Sequence, residues 1–261
     1  MLDYIDGYNF SEIANFAIDF DRTILSLEMF KSNSIIYCKT DFIPQLFNFL
    51  QLSGRKYVLI SHMSDIPIDA AKFLSKPNCI KKWFAQNAIY DHPDLISIPL
   101  GVENHAGGSK GPFTNHKWLD ENEERLKNNN KELVLYCHWN PVNNPSRGEI
   151  SSILQEKNSV VVQEARLSYE EYIEGMSKHK FIVCPPGNGV DTHRVWEALY
   201  IGCIPVVLNH RIYKDYDLPM IRVNNWKEIT PELLQQSITE NKEQAYMKFW
   251  ENRIKEEFNK L

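Results

Sequence analysis

Alternating short apolar runs and helical patterns predict an α/β protein built from two parallel-sheet halves that face a common cleft. Three observations carry that reading. Apolar runs bounded by Gly, Pro, Asn or Asp recur along the chain, segments of helical spacing lie between them, and the strand-helix-strand order restarts after a charged, loop-rich stretch near the middle. A length of 261 residues with 43% hydrophobic and 12% aromatic content supplies a full core.

The elements follow in order. Residues 35–38 and 57–61 are strands flanking a helix over 42–52, whose apolar positions 43, 46, 47 and 50 recur at helical spacing. A helix begins within 67–74, and strands follow over 82–85 and 96–100. Between 101 and 131 a Gly-rich loop, Gly107-Gly108-Ser109-Lys110-Gly111-Pro112, precedes a strongly charged helix over 118–131. The boundary between an N-terminal half, 1–128, and a C-terminal half, 129–261, is placed there. The second half runs through strand 133–137, a helix from Ser146, strand 159–163, helix 168–178, strand 181–184, a helix after Asp191, strands 204–208 and 220–223, and two polar helices. Both halves are expected to be doubly wound, with ligands beyond the carboxyl ends of their strands.

Composition excludes several classes. A net charge of -5 argues against nucleic acid or an anionic membrane as partner. The first residues carry no basic segment leading into a long apolar run, and no window has the ~18 apolar residues of a membrane helix, so the expected setting is cytoplasmic, microbial or viral. Five scattered cysteines read as buried free thiols. No metal-ligand spacing stands out; Asp19-Phe20-Asp21 matches Asp-x-Asp literally and is read as surface.

The stretch from Phe181 to Val207 carries the most chemistry. A buried strand ends in Pro185-Pro186-Gly187-Asn188-Gly189, where Gly187 and Gly189 permit a sharp turn and close approach of a ligand. Asp191 or Thr192 caps the helix that follows, whose first N–H groups favour an anion. Arg194 adds a guanidinium suited to phosphate oxygens, and Glu197, three residues on, suits the hydroxyls of a ribose. There is no G-x-x-x-x-G-K-[ST] and no G-x-G-x-x-G. Together these residues suit a nucleoside diphosphate.

This segment resembles the exostosin family of glycosyltransferases, in Pro186-Gly187, Asp191-Thr192-His193-Arg194, Trp196-Glu197-Ala198-Leu199 and Gly202-Cys203-Ile204-Pro205-Val206-Val207. The resemblance is most specific over 180–226. It implies a GT-B fold with the donor held in the C-terminal half by Arg194 and Glu197, inversion at the anomeric carbon, and a last helix, roughly 242–259, that crosses back to the first half. The expected reaction moves a sugar from a nucleotide-diphosphate donor, of the UDP-xylose or UDP-hexuronate type, to a glycan hydroxyl with no cofactor or metal required. A nucleotide-sugar hydrolase or epimerase-like enzyme and a silent glycan-binding module are the alternatives.

Other polar strand ends complete the expected site. Arg147, after the first strand of the second half, is a second phosphate candidate or part of an ordinary turn-rich loop. Arg166 and Tyr169 are candidates to flank the nucleobase, while Ser168 with Glu171 reads as a capping box. In the first half Asp65, then His62, are candidates for the base that takes the acceptor proton. Gln86, Asn87, Glu103 and Asn104 are candidates to line an acceptor site.

Overall fold

The computed structural model describes residues 3–19, 25, 27–103, 114–139, 144–155, 160–163 and 167–261. Its strands form two five-stranded sheets, parallel throughout. The first contains β1 (Phe16–Ile18), β2 (Ser34–Lys39), β3 (Tyr57–His62), β4 (Ile80–Ala85) and β5 (Leu95–Ser97), in that spatial order. The second contains β6 (Glu132–His138), β7 (Val160–Gln163), β8 (His179–Val183), β9 (Ile204–Leu208) and β10 (Ile221–Val223), in the order β10-β9-β8-β6-β7. The helices in chain order are α1 (Gly7–Ile13), α2 (Ile43–Leu50), α3 (Ala70–Leu74), α4 (Thr114–Lys127), α5 (Ser146–Gln155), α6 (Tyr169–Ser177), α7 (His193–Tyr200), α8 (Pro231–Leu234) and α9 (Met247–Asn259). This is the two-sheet α/β architecture of the GT-B type.

The two sheets are wound differently. In the second, the chain runs outward from β6 to β7 and then crosses back to β8 on the other side of β6, so the order reverses between β6 and β8. A crevice opens at the carboxyl ends of such a pair. The first sheet has its five strands in sequence order with no reversal, which corrects the expectation of two doubly wound halves. Its β2 and β3 are buried at every position, as strands covered on both faces must be. Ile36, Cys38, Leu59 and Trp83 pack on one face with Leu46 and Leu50 of α2 and Phe73 of α3. Tyr37, Val58, Ile60 and Phe84 point the other way and join Phe10 of α1 and Trp250 and Ile254 of α9.

That second face belongs to a core continuous with the other half, because the same cluster includes Tyr136, Ile182, Val195, Trp196 and Leu199. Helix α9 is tied to the start of the chain: Met247 N donates to Asp3 O at 2.9 Å, and Lys248 N to Asp3 Oδ1 at 2.8 Å. Neither α1 nor β1 is marked in the sequence, since each is too short for its periodicity to stand out. Asp19, at the end of β1, is buried rather than on the surface; Phe20 and Asp21 lie outside the described residues. All five cysteines are buried and free. Among the described residues no helix is long and apolar enough to cross a membrane.

The strand expected over 96–100 stops at Ser97. Pro99 lacks an N–H for a ladder, and Gly101 takes a φ of 79°. A Cβ on Gly101 would lie 1.9 Å from the carbonyl oxygen of Ile5, whose position is fixed by the 2.9 Å bond from Val102 N. Gly101→Ala is expected to lower stability by roughly 1–3 kcal/mol or more from the left-handed conformation and the clash together, read as a lower denaturant midpoint with an unchanged slope.

Candidate functional site

The carboxyl ends of both sheets meet in a cleft of about 680 Å³. One wall carries Lys39, His62, Asp65 and Gln86, at or just beyond the ends of β2, β3 and β4; the other carries Arg147, Tyr172, Gly187, Gly189, Arg194 and Glu197. The second wall lies at the switch point, where the loops after β6 and β8 are knitted together. Asn144 Nδ2 donates to Gly187 O at 3.0 Å and Arg147 Nε to Pro186 O at 2.9 Å. The turn itself closes with Gly187 N donating to Gly189 O at 3.0 Å. Gly189 has no room for a side chain, since a Cβ would meet Asn87 Nδ2 at 2.9 Å and Asp65 Oδ1 at 3.1 Å. The glycine loop of one half therefore touches the candidate base of the other.

Asp191 is the hinge-pin of this arrangement. Its Oδ2 accepts from Leu100 N at 2.8 Å and Trp196 Nε1 at 2.9 Å, and its Oδ1 from Thr192 N at 2.9 Å and the Tyr213 hydroxyl at 3.1 Å. Asn87, at φ 54°, completes the join by accepting from Asp191 N at 3.2 Å. Burial pushes the Asp191 carboxyl up to about 6, against the pull of those donors. With both oxygens engaged inside the protein, Asp191 fastens the two halves at the margin of the cleft that it also lines. Thr192 takes the N-cap position of α7 without a side-chain cap bond, and its Oγ1 is buried with no partner among the described residues. His193 donates from Nδ1 to Gly101 O at 2.8 Å, a further tie between halves.

Arg194 lies in the first turn of α7, its guanidinium 5.8 Å from the centre of the Tyr172 ring, with Nε unpaired among the described residues. The Tyr172 hydroxyl donates to Glu197 Oε2 at 3.2 Å, and the Glu103 backbone also hydrogen-bonds the Glu197 carboxyl. Glu197 is 2% exposed. Burial, then the negative charge of Glu103, pushes its carboxyl up to about 8, although Arg194 pulls the other way. Arg147 is 4% exposed; burial and then the like charge of Arg194 bring its guanidinium down to about 10. Two cations so close on one wall repel each other, and an anion between them relieves the repulsion. Arg147 does more structural work than the sequence suggests, since it also braces the Pro186 carbonyl.

On the opposite wall Asp65 is exposed and makes no hydrogen bond with the described residues. His62 is not available as a base: Nε2 donates to Pro99 O at 2.9 Å and Nδ1 accepts from Met63 N at 2.8 Å. Burial lowers its imidazole to about 4, so the ring is neutral and both nitrogens are committed. Tyr169, expected near the nucleobase, instead packs edge-on against Trp118 with centroids 6.1 Å apart. Of the two tyrosines on this helix, the one that lines the cleft is Tyr172, one turn further along α6; Tyr8 lines it as well. Arg166 and Asn104 lie outside the described residues. Lys39 and Tyr172 were not marked as functional by the sequence, because each sits inside a strand or helix pattern that packing alone explains.

The raised carboxyl of Glu197 has a signed consequence. Between its ordinary value of 4.5 and about 8 the folded protein binds a proton there that the unfolded chain has released, so this group's contribution to stability fades as pH rises through 8. Glu197→Gln removes that loss. The melting temperature of the variant relative to the parent is expected to climb by a few degrees from pH 5 to pH 8.5, measured by calorimetry at both values; a flat difference would show that Glu197 is ionised throughout.

Comparison with known proteins bears on what this cleft is. The Exostosin GT47 domain matches residues 53–245, which includes strand ends from both walls. A probable glycosyltransferase of Arabidopsis thaliana is 31% identical over 41% of this chain and 24% of its own length. Ribitol-5-phosphate xylosyltransferase 1 of Homo sapiens is 22% identical over 86% of this chain and 56% of its own. The chain thus spans about half, or less, of the length of these curated relatives. With the domain match extending over most of its residues and the cleft at its centre, the chain belongs to the exostosin GT47 family.

Proposed function

We propose that this chain is a glycosyltransferase that moves a sugar from a nucleoside diphosphate donor to a glycan hydroxyl. The observation that carries the proposal is the pair of guanidiniums, Arg147 and Arg194, beside the glycine loop on one wall, facing the exposed Asp65 carboxylate on the other. The donor diphosphate lies against Arg194 and the first N–H groups of α7, with Arg147 adding charge from behind the loop. Glu197 and Tyr172 take the ribose side. The acceptor hydroxyl oxygen bonds to the anomeric carbon as the bond from that carbon to the diphosphate oxygen breaks; the hydroxyl proton passes to Asp65 and the electron pair leaves with the diphosphate. Attack from the wall opposite the leaving group inverts the anomeric centre.

The guanidiniums supply the charge that a metal supplies in other sugar transferases, so the reading includes no metal cofactor. A uridine donor of the xylose or hexuronate type is favoured, and the name of the human relative supports a pentosyl donor. Asp65, rather than His62, is the base, because its carboxylate is exposed in the cleft whereas both ring nitrogens of His62 are bonded to backbone.

UDP at a hundred times its dissociation constant is expected to stabilise the protein by about 2.7 kcal/mol, seen as a raised melting temperature in a screen of nucleotides and nucleotide sugars. Arg194→Ala should weaken UDP binding roughly 10- to 100-fold and leave the melting temperature without ligand nearly unchanged. An unaltered affinity removes the phosphate assignment. Asp65→Asn should lower turnover by roughly 10²- to 10⁴-fold while the UDP shift persists. Release of free sugar from the donor at equal rates with and without glycan acceptors would point to a hydrolase instead.

A further inference from the structure

Gln86 is a buried polar group that the chemistry above leaves unused. It follows β4 directly, is 2% exposed, and is held at the carboxyl edge of the first sheet by its backbone N–H, which donates to Ser61 O at 3.0 Å. Its side-chain amide lines the cleft, yet Oε1 is buried and the amide makes no hydrogen bond to any described residue. Two donor-bearing side chains on the same wall are already engaged: both ring nitrogens of His62 are bonded to backbone, and the Lys39 ammonium is held by Asp41. An amide carried out of water with nothing to bond is destabilising, and a fold that keeps one at the floor of a cleft gains by it only when something else binds there.

The charges on this wall narrow the class of that ligand. Asp6, Asp65 and Glu103 line it as carboxylates, and the Lys39 ammonium is already held by Asp41. A second anion would meet repulsion here, in contrast to the Arg147 and Arg194 wall. An amide offers one acceptor and a donor pair side by side, which matches adjacent hydroxyls: one donates to Oε1 and the next accepts from Nε2. We propose that Gln86 is an acceptor-binding residue that recognises an uncharged vicinal diol, in a sugar ring or an alditol, on the same wall as the base Asp65. The proposal rests on the transferase reading for the role of that diol, and the diol site itself can be tested separately.

Two measurements on the full chain test it, using Gln86→Met, which keeps the length and removes the amide. Without ligand, the variant is expected to melt ~2 °C higher than the parent, because an unsatisfied buried amide has been replaced by an apolar side chain. Saturation-transfer NMR in the presence of UDP, with methyl β-xyloside and ribitol as neutral probes and ribitol 5-phosphate as the charged one, is expected to show the neutral probes bound to the parent and weakened roughly tenfold or more in the variant. The UDP-induced melting shift should be the same for both proteins. A lower melting temperature in Gln86→Met, neutral probes that bind both proteins alike or neither, or tighter binding of the phosphate ester each overturns the proposal. Loss of the UDP shift in the parent, with Gln86-dependent diol binding intact, sinks the donor assignment and leaves the diol site standing.

Discussion

The carboxylate of Asp191 is the constraint on which the cleft depends. Four donors from three parts of the chain converge on it, and one of them, Leu100 N, belongs to the opposite half. A buried carboxylate is costly unless its lone pairs are taken up, and here the donors that take them up are the parts that must be held in place. The start of α7, the loop after β5 and the Tyr213 turn are fixed relative to one another by a single side chain. Asn87 and His193 reinforce the same seam from either side.

Around that seam the two walls have opposite electrical character. The switch-point wall concentrates positive charge, with Arg194 stacked near Tyr172 and Arg147 bracing the glycine loop; the first-sheet wall offers carboxylates and an amide. Such a division suits a reaction in which a leaving group gains negative charge on one side while a hydroxyl loses a proton on the other. The groups are held by backbone and packing before any ligand arrives, so little reorganisation is needed at the moment of reaction. Glu197 sits at the junction, its ionisation opposed by burial and Glu103 and favoured by Arg194.

Much of the fold was legible in the sequence because buried parallel strands are short apolar runs, and β2, β3, β8 and β9 announce themselves that way. The Pro186-Gly187 turn followed by Arg194 and Glu197 was legible for a similar reason, since the whole unit is local. What could not be read is what depends on contacts far apart in the chain. Asp191 looks like a helix cap until Leu100, 91 residues away, is seen to reach it. His62 looks like a base until the carbonyl of Pro99 is found against its ring. Tyr169 and Tyr172 stand one helical turn apart, and only the packed structure, with Tyr169 against Trp118, shows that Tyr172 is the one at the cleft. The sequential order of the first sheet was equally hidden, because strand order leaves no local trace.

The path of the chain also bears on its synthesis. The face of the first sheet formed by Tyr37, Val58, Ile60 and Phe84 is covered in part by α9, which is anchored to Asp3. All five strands of that sheet are complete by Ser97, whereas α9 does not end until Asn259. At ribosomal elongation rates the interval is on the order of ten seconds. Throughout it a broad aromatic and aliphatic surface waits for a cover not yet made, with α1 as local shelter. A nascent chain of this design is most open to aggregation at that stage.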